Sequence, residues 1–191
     1  MSKIVKKYRY VLGIDIGTSI RCTFCLFDNQ TNEILYCSSI NRNTSKHNVE
    51  HRKKIINCIQ YIFDNYQIDI MLFETIRLFS SGSIYMQTIL SLNKVQTTII
   101  NKFSENCDIY SIDVRSWKAK VLGNGNATKE DTVRTILHKY PNIELLEETV
   151  RPIKKEIELS LNEDLADAIC ISQTLHYDTT ILKDKNKMNF K

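Results

Sequence analysis

The chain has 191 residues, 42% of them hydrophobic and 25% charged, a balance that suits one soluble globular domain with a real core. No stretch approaches the roughly 18 apolar residues that span a bilayer, and the basic start MSKIVKKYRY has no apolar signal core behind it. Membrane-spanning and secretory readings are thereby set aside in favour of an intracellular, cytoplasmic protein. The net charge of +4 is modest but clustered, in Lys3, Lys6, Lys7 and Arg9, in HRKK at 51–54, and in Lys183, Lys185, Lys187 and Lys191. Such clusters can neutralise phosphates and occur equally on plain solvated surfaces.

Residues 8–16 and 20–28 read as strands, NQTN at 29–32 as a turn and EILYCSS at 33–39 as a third strand, together an antiparallel meander. Residues 45–66 read as a helix with Val49, Ile56, Ile59, Phe63 and Tyr66 on one face and Arg52 at its edge. DIMLFET at 69–75 is a short strand of the buried type. The helical stretch at 82–105 is apolar on several sides (Ile84, Met86, Ile89, Leu90, Val95, Ile99), which places it centrally or at an interface. A fifth strand at 108–112 and helical patterns at 115–122, 128–139 and 162–177 complete the order. This alternation predicts an α/β fold, a five-stranded mixed sheet of antiparallel meander and then parallel strands, flanked by helices. One domain is expected over 1–191, with its core at about 8–177, an extended connection at 141–160 that carries both prolines, and a basic tail at 178–191.

The six cysteines are scattered, and only Cys22 and Cys25 form a C-x-x-C pair. Residues three apart in a strand point to opposite faces, so no zinc set is expected and buried free thiols in a reducing compartment are.

The acids carry the chemistry. In the first strand Tyr10, Leu12, Ile14 and Ile16 share one face, while Val11, Gly13 and Asp15 share the other. Asp15 therefore stands at a strand end, before the turn opened by Gly17 and Thr18. Glu74 ends a second apolar strand, where Glu is depleted. Asp164 and Asp167, beside Glu163 in NEDLADAICI, are three apart and share a helix face. Each has an unremarkable reading by itself: a turn-forming Asp, a strand-end Glu, a solvated helix start. If the two strands are neighbours and the last helix packs across them, the four converge, and four clustered carboxylates cannot all ionise without a cation. Oxygen ligands suit Mg²⁺ or Mn²⁺ rather than zinc, and two such ions can promote phosphodiester hydrolysis.

GIDIGTS at 13–19, FE at 73–74, WKAKVLGNGNATKEDTV at 117–133 and DLADA at 164–168 occur in this order over about residues 8–177. In these motifs the chain resembles the RuvC family of Holliday junction resolvases, which have the RNase H-like fold. The resemblance implies a crossover junction endodeoxyribonuclease that works as a homodimer, with the 82–105 helix as dimer element, and cuts opposing strands of a four-way DNA junction, leaving 5′-phosphate and 3′-hydroxyl ends. It implies two Mg²⁺ per active site, with Mn²⁺ as substitute, held by Asp15, Glu74, Asp164 and Asp167, and two basic catalytic residues, Lys118 and Lys129. Gly123 and Gly125 between them can let backbone approach a phosphate, and Thr128 can cap the following helix with Asp131 three positions on. The family often carries an aromatic residue shortly after the second acid. Here Thr75, Ile76 and Arg77 follow Glu74, so Arg77 and Phe79 are the candidate DNA contacts at that place.

Other features are weaker. His47 and His51, four apart on a helix, have no third ligand and read as solvated polarity. Trp117, Tyr85 and Tyr110 could stack on bases, with packing the better reading of each. No branch-migration helicase partner can be named, and the richness in Ile, Asn and Lys fits an AT-rich bacterial, phage or mobile-element genome. The competing functions are an RNase H-like nuclease for another nucleic acid, a non-catalytic junction-binding module, and a fragment of a sugar-kinase-like ATPase, for whose second lobe the chain is too short.

Overall fold

The computed structural model describes residues 7–17, 21–40, 48–76, 83–141, 163–183 and 186–188. Arg77, Phe79, His47 and the connection from 142 to 160 lie outside the described residues, as does the side chain of Tyr85.

Five strands form one sheet: β1 (Tyr10–Ile16), β2 (Cys22–Asp28), β3 (Glu33–Ile40), β4 (Ile70–Glu74) and β5 (Asp108–Ile112), in the order β3-β2-β1-β4-β5. β1 pairs antiparallel with β2, and β2 with β3; β1 and β4, and β4 and β5, are parallel. Among the described residues five α-helices accompany it: α1 (Asn48–Asn65), α2 (Ser83–Phe103), α3 (Val114–Val121), α4 (Lys129–Lys139) and α5 (Glu163–Tyr177). The mixed α/β sheet expected from the alternation is the sheet observed.

Strand alternation divides the core in two. Leu12, Ile14, Phe24, Leu26, Met71 and Phe73 face Ile55, Ile59 and Ile62 of α1 and Val95 and Ile99 of α2. Val11, Cys25, Ile70 and Leu72 face Trp117 of α3 and Ala168, Ile169 and Leu175 of α5. Cys22 and Cys25 fall on opposite sides of the sheet, and all six cysteines are free thiols.

α5 is buried from Leu165 to Leu175 except for Asp167, which is only partly exposed. It can lie so close to the sheet because of Gly13. A Cβ there would sit inside contact distance of the Ala168 carbonyl oxygen and the Ser172 nitrogen, and 2.9 Å from Ser172 Cα. The side of β1 that bears Asp15 is thus roofed by a helix.

Two expectations about α1 are corrected. Its most buried stripe is His51, Ile55, Ile59 and Ile62, whereas Ile56, Phe63 and Tyr66 only flank the core and Val49 is 60% exposed. His51, read as solvated, is 7% exposed. Adjacent isoleucines at 55 and 56 leave helical periodicity ambiguous by one residue, and the sheet selects the stripe through Ile55. At the far edge Met188 N donates to Ile109 O at 2.8 Å and Lys187 bridges Tyr110, so this part of the basic tail lies along β5. Lys187 and the Tyr8 hydroxyl both engage Asp108, each at 2.7 Å. Among the described residues no helix is long and apolar enough to cross a membrane.

Candidate active site

The parallel register that aligns Ile14 with Phe73 brings the next residues, Asp15 and Glu74, to the same height at the ends of neighbouring strands. Both lie on the face covered by α5, whose first turns supply Asp164 and Asp167. The Thr23 hydroxyl, 3.0 Å from the Asp164 carbonyl and 3.4 Å from that of Asp15, fastens the start of α5 to the β1–β2 pair. Asp15, Glu74, Asp164 and Asp167 line one cleft of about 300 Å³, together with Gly17 and Lys129 and with Ile89, Leu92 and Gln96 of α2.

This cleft is a poor place for free carboxylates. Burial first, and then the charges of Asp167, Glu74 and Asp164, push the Asp15 carboxyl well above its ordinary range, with Lys129 opposing. Asp167 is pushed up from 3.8 to about 7, chiefly by burial and then by Glu74. Its Oδ1 is buried and makes no hydrogen bond. A buried carboxylate oxygen without a donor costs free energy until something positive reaches it. An all-oxygen set with such an orphan fits a hard divalent cation. Among the described residues no three acidic, His or Cys side chains already form a ready cage for an ion, so the acids share the cleft without converging on a point.

Protein cations supply part of the missing charge. Lys129 Nζ lies 3.0 Å from Glu163 Oε2 and 3.8 Å from Asp164 Oδ1. Burial pulls its ammonium down, and Glu163, Asp164 and Asp167 outweigh this and hold it above its ordinary range. Arg21 Nη1 stands 3.4 Å from the other Asp164 oxygen. Lys129 is the first residue of α4, and its place is set by the Thr128 cap: the Thr128 hydroxyl accepts from Asp131 N, and the Asp131 carboxylate accepts from Thr128 N.

Lys118 is engaged differently. Its Nζ donates to the Ala127 carbonyl at 2.7 Å and rides 5.5 Å from the Trp117 ring centre, so it braces the turn between α3 and α4. In that turn Gly123 takes φ +74, which favours glycine, while a Cβ on Gly125 would come 3.0 Å from the Arg115 carbonyl. Both glycines are explained by the chain's own backbone. Tyr110 is 8% exposed and Trp117 is fully buried, the packing roles favoured for them.

Two residues that bond to the cleft acids from behind carry no sequence signal of that role. Arg21 reaches Asp164 across 143 positions, and nothing local marks it. Trp117 donates from Nε1 to Glu74 Oε2 at 3.1 Å; only the strand order, which sets β4 beside β5 and so α3 beside Glu74, could have suggested it.

The fold has counterparts. A RuvC structure from Thermus thermophilus is similar at 14% identity with a TM-score of 0.66, over 94% of this chain and 99% of that one. T. thermophilus RuvC in complex with a Holliday junction substrate is similar at 16% identity and TM-score 0.62, over 88% and 93%. The yeast mitochondrial Holliday junction resolvase gives 14% and 0.53, over 87% and 77%. At these identities the likeness concerns the fold. No curated protein sequence matches the chain. The family model described as crossover junction endodeoxyribonuclease RuvC matches residues 11–174, from β1 into the last turn of α5, so that all four cleft acids fall within it, and the chain belongs to the RuvC family.

Proposed function

We propose that the chain is a structure-selective endonuclease that resolves four-way and other branched DNA by hydrolysing phosphodiester bonds, with Asp15, Glu74, Asp164 and Asp167 as its cation-binding acids. The observation that carries this reading is one cleft, lined by four carboxylates from three elements, in which Asp15 and Asp167 resist ionisation unless positive charge enters. Nucleases of this family depend on metal ions, and the oxygen-only donors favour Mg²⁺, with Mn²⁺ as substitute. Bound there, two such ions supply Lewis acidity toward the phosphoryl group and toward water.

The remaining work belongs to side chains of this protein. Lys129, at the mouth of the cleft and with its side chain 54% exposed, can leave Glu163 for a phosphate oxygen and offset charge that grows there during cleavage. Lys118 holds the Ala127 carbonyl and so keeps the turn before Lys129 in place. Gly17, whose Cβ would come 3.3 Å from Asp164 Oδ2, leaves room for a backbone to approach the acids. Met86 and Leu90, one turn apart on α2 and 48% and 56% exposed, give the helix an outward apolar face. That face supports a homodimer, which would set two clefts on two strands of one junction.

Lys129→Gln is expected to slow junction cleavage on the order of 100-fold and to lower the metal-free thermal midpoint only slightly, because its charge opposes the crowded acids but an exposed ion pair contributes little. Single-turnover rates beside a melting curve check it. The substrate assignment is tested by competition: labelled four-way junction against excess unlabelled junction, linear duplex or RNA–DNA hybrid. Only unlabelled junction should suppress cutting at low concentration. Equal suppression by the hybrid would move the protein to another nuclease role on the same fold.

A further inference from the structure

We propose that Trp117 is a positioning residue for Glu74, and that its indole senses cation binding in the cleft; the proposal rests on the reading of the four acids as a cation site. Trp117 is the single tryptophan of the chain and is fully buried. A buried indole N–H needs an acceptor, and any backbone carbonyl would satisfy it. Its acceptor here is instead Glu74 Oε2 at 3.1 Å, a carboxylate that lines the cleft.

The bond is rigidly mounted at both ends. On one side α3 is pinned by Asp113, whose side chain accepts from Arg115 N at 3.0 Å and Ser116 N at 3.3 Å, while Asp113 O accepts from Trp117 N. On the other, Thr75 N, next to Glu74, donates to Ile112 O at 2.8 Å at the end of β5. The carboxylate sits on the last residue of β4 and the donor on the helix that follows its neighbour β5, so both hang from the same strand pair. An indole can only donate, so it restrains the carboxylate plane without competing as a ligand. The Lys118 ammonium lies 5.5 Å from the centre of the same ring, so the indole joins the Glu74 carboxylate to the residue that braces the α3–α4 turn. A cation that draws on Glu74 must change the field at this one indole.

The experiment titrates the DNA-free protein with Mg²⁺ and follows tryptophan emission beside the heat of binding. Wild type should show a saturable emission change that tracks the heat. Trp117→Phe should bind Mg²⁺ about 10–100-fold more weakly, with the circular dichroism of a folded chain at the titration temperature and a thermal midpoint lowered by the smaller core side chain. Unchanged emission at calorimetric saturation overturns the proposal, and so does a folded Trp117→Phe with wild-type Mg²⁺ affinity. Should the Phe variant not fold, the wild-type emission titration decides alone. Asp15→Asn separates the two levels. If it loses Mg²⁺ binding while Trp117→Phe keeps it, the cation site stands and the positioning role falls; if it binds Mg²⁺ like wild type, the cation site itself falls.

Discussion

Replacing Asp167 by Asn is expected to abolish junction cleavage and, at the same time, to raise the thermal midpoint of the metal-free protein at neutral pH. The two effects have one cause. The Asp167 carboxyl sits at about 7 in the folded chain against an ordinary 3.8, held there by burial and by Glu74. A raised carboxyl means that the folded state binds the proton more tightly than the unfolded state. Metal-free stability therefore falls as pH rises from about 4 to about 7, and levels off above that, where both states are ionised. At pH 7.5 the buried charge, through lost hydration first and repulsion by Glu74 second, costs on the order of a few kcal/mol, and the amide, which carries no charge, escapes it. For a chain of this size that is about 5–10 °C. At pH 4 the variant and wild type should melt alike. Added Mg²⁺ should raise the wild-type midpoint by mass action and leave the Asn variant nearly unmoved. Asp15→Asn should likewise abolish cleavage and raise the metal-free midpoint, since burial and then Asp167, Glu74 and Asp164 push its carboxyl up as well. A metal-free Asp167→Asn protein that melts lower than wild type at pH 7.5 would show that these acids do not oppose one another in the fold.

Gly13→Ala is expected to be the most damaging single methyl group in the described chain. Gly13 lies in β1 two residues before Asp15, and the added carbon meets backbone atoms of Ala168 and Ser172 rather than a side chain that could swing aside. α5 would have to lift off the sheet. Overpacking of a tight core costs about 1–3 kcal/mol, and a helix backbone that cannot yield puts this case at or above the upper end. Because α5 also carries Asp164 and Asp167, lifting it parts them from Asp15 and Glu74, so cleavage should fail even at temperatures where the variant remains folded. Gly123→Ala provides the contrast. Nothing lies within 4 Å of its Cβ, and only the positive φ is strained. That costs about 1–2 kcal/mol and leaves the cleft intact. Urea denaturation of the two variants, with junction cleavage measured below their midpoints, checks both. Equal midpoints would mean that α5 does not depend on the missing side chain.

Much of this arrangement is legible in the chain itself, for identifiable reasons. β1 announces its two faces because Leu12 and Ile14 alternate with Gly13 and Asp15, and the structure sends those sets to opposite sides of the sheet. Glu74 and the Asp164–Asp167 pair stand out because acids at the ends of apolar runs and at i, i+3 are unfavourable unless something uses them. Thr128 and Asp131 announce a helix start, and the capping box forms there. What could not be read depends on pairing across the chain. The tilt of α1, which buries His51 and turns Val49 outward, is chosen by the sheet between two adjacent isoleucines. Arg21 meets Asp164 only because β2 runs beside β1 under α5. Trp117 reads as an ordinary core aromatic until the strand order sets its indole against Glu74.

The most direct measurement is denaturing-gel mapping of the cuts made in a synthetic four-way junction by wild type and by Asp15→Asn, each with and without Mg²⁺. The account predicts paired, symmetric nicks on opposing strands that need both the cation and Asp15. Tight junction binding without cutting under Mg²⁺ or Mn²⁺, or equal cutting by Asp15→Asn, would contradict it.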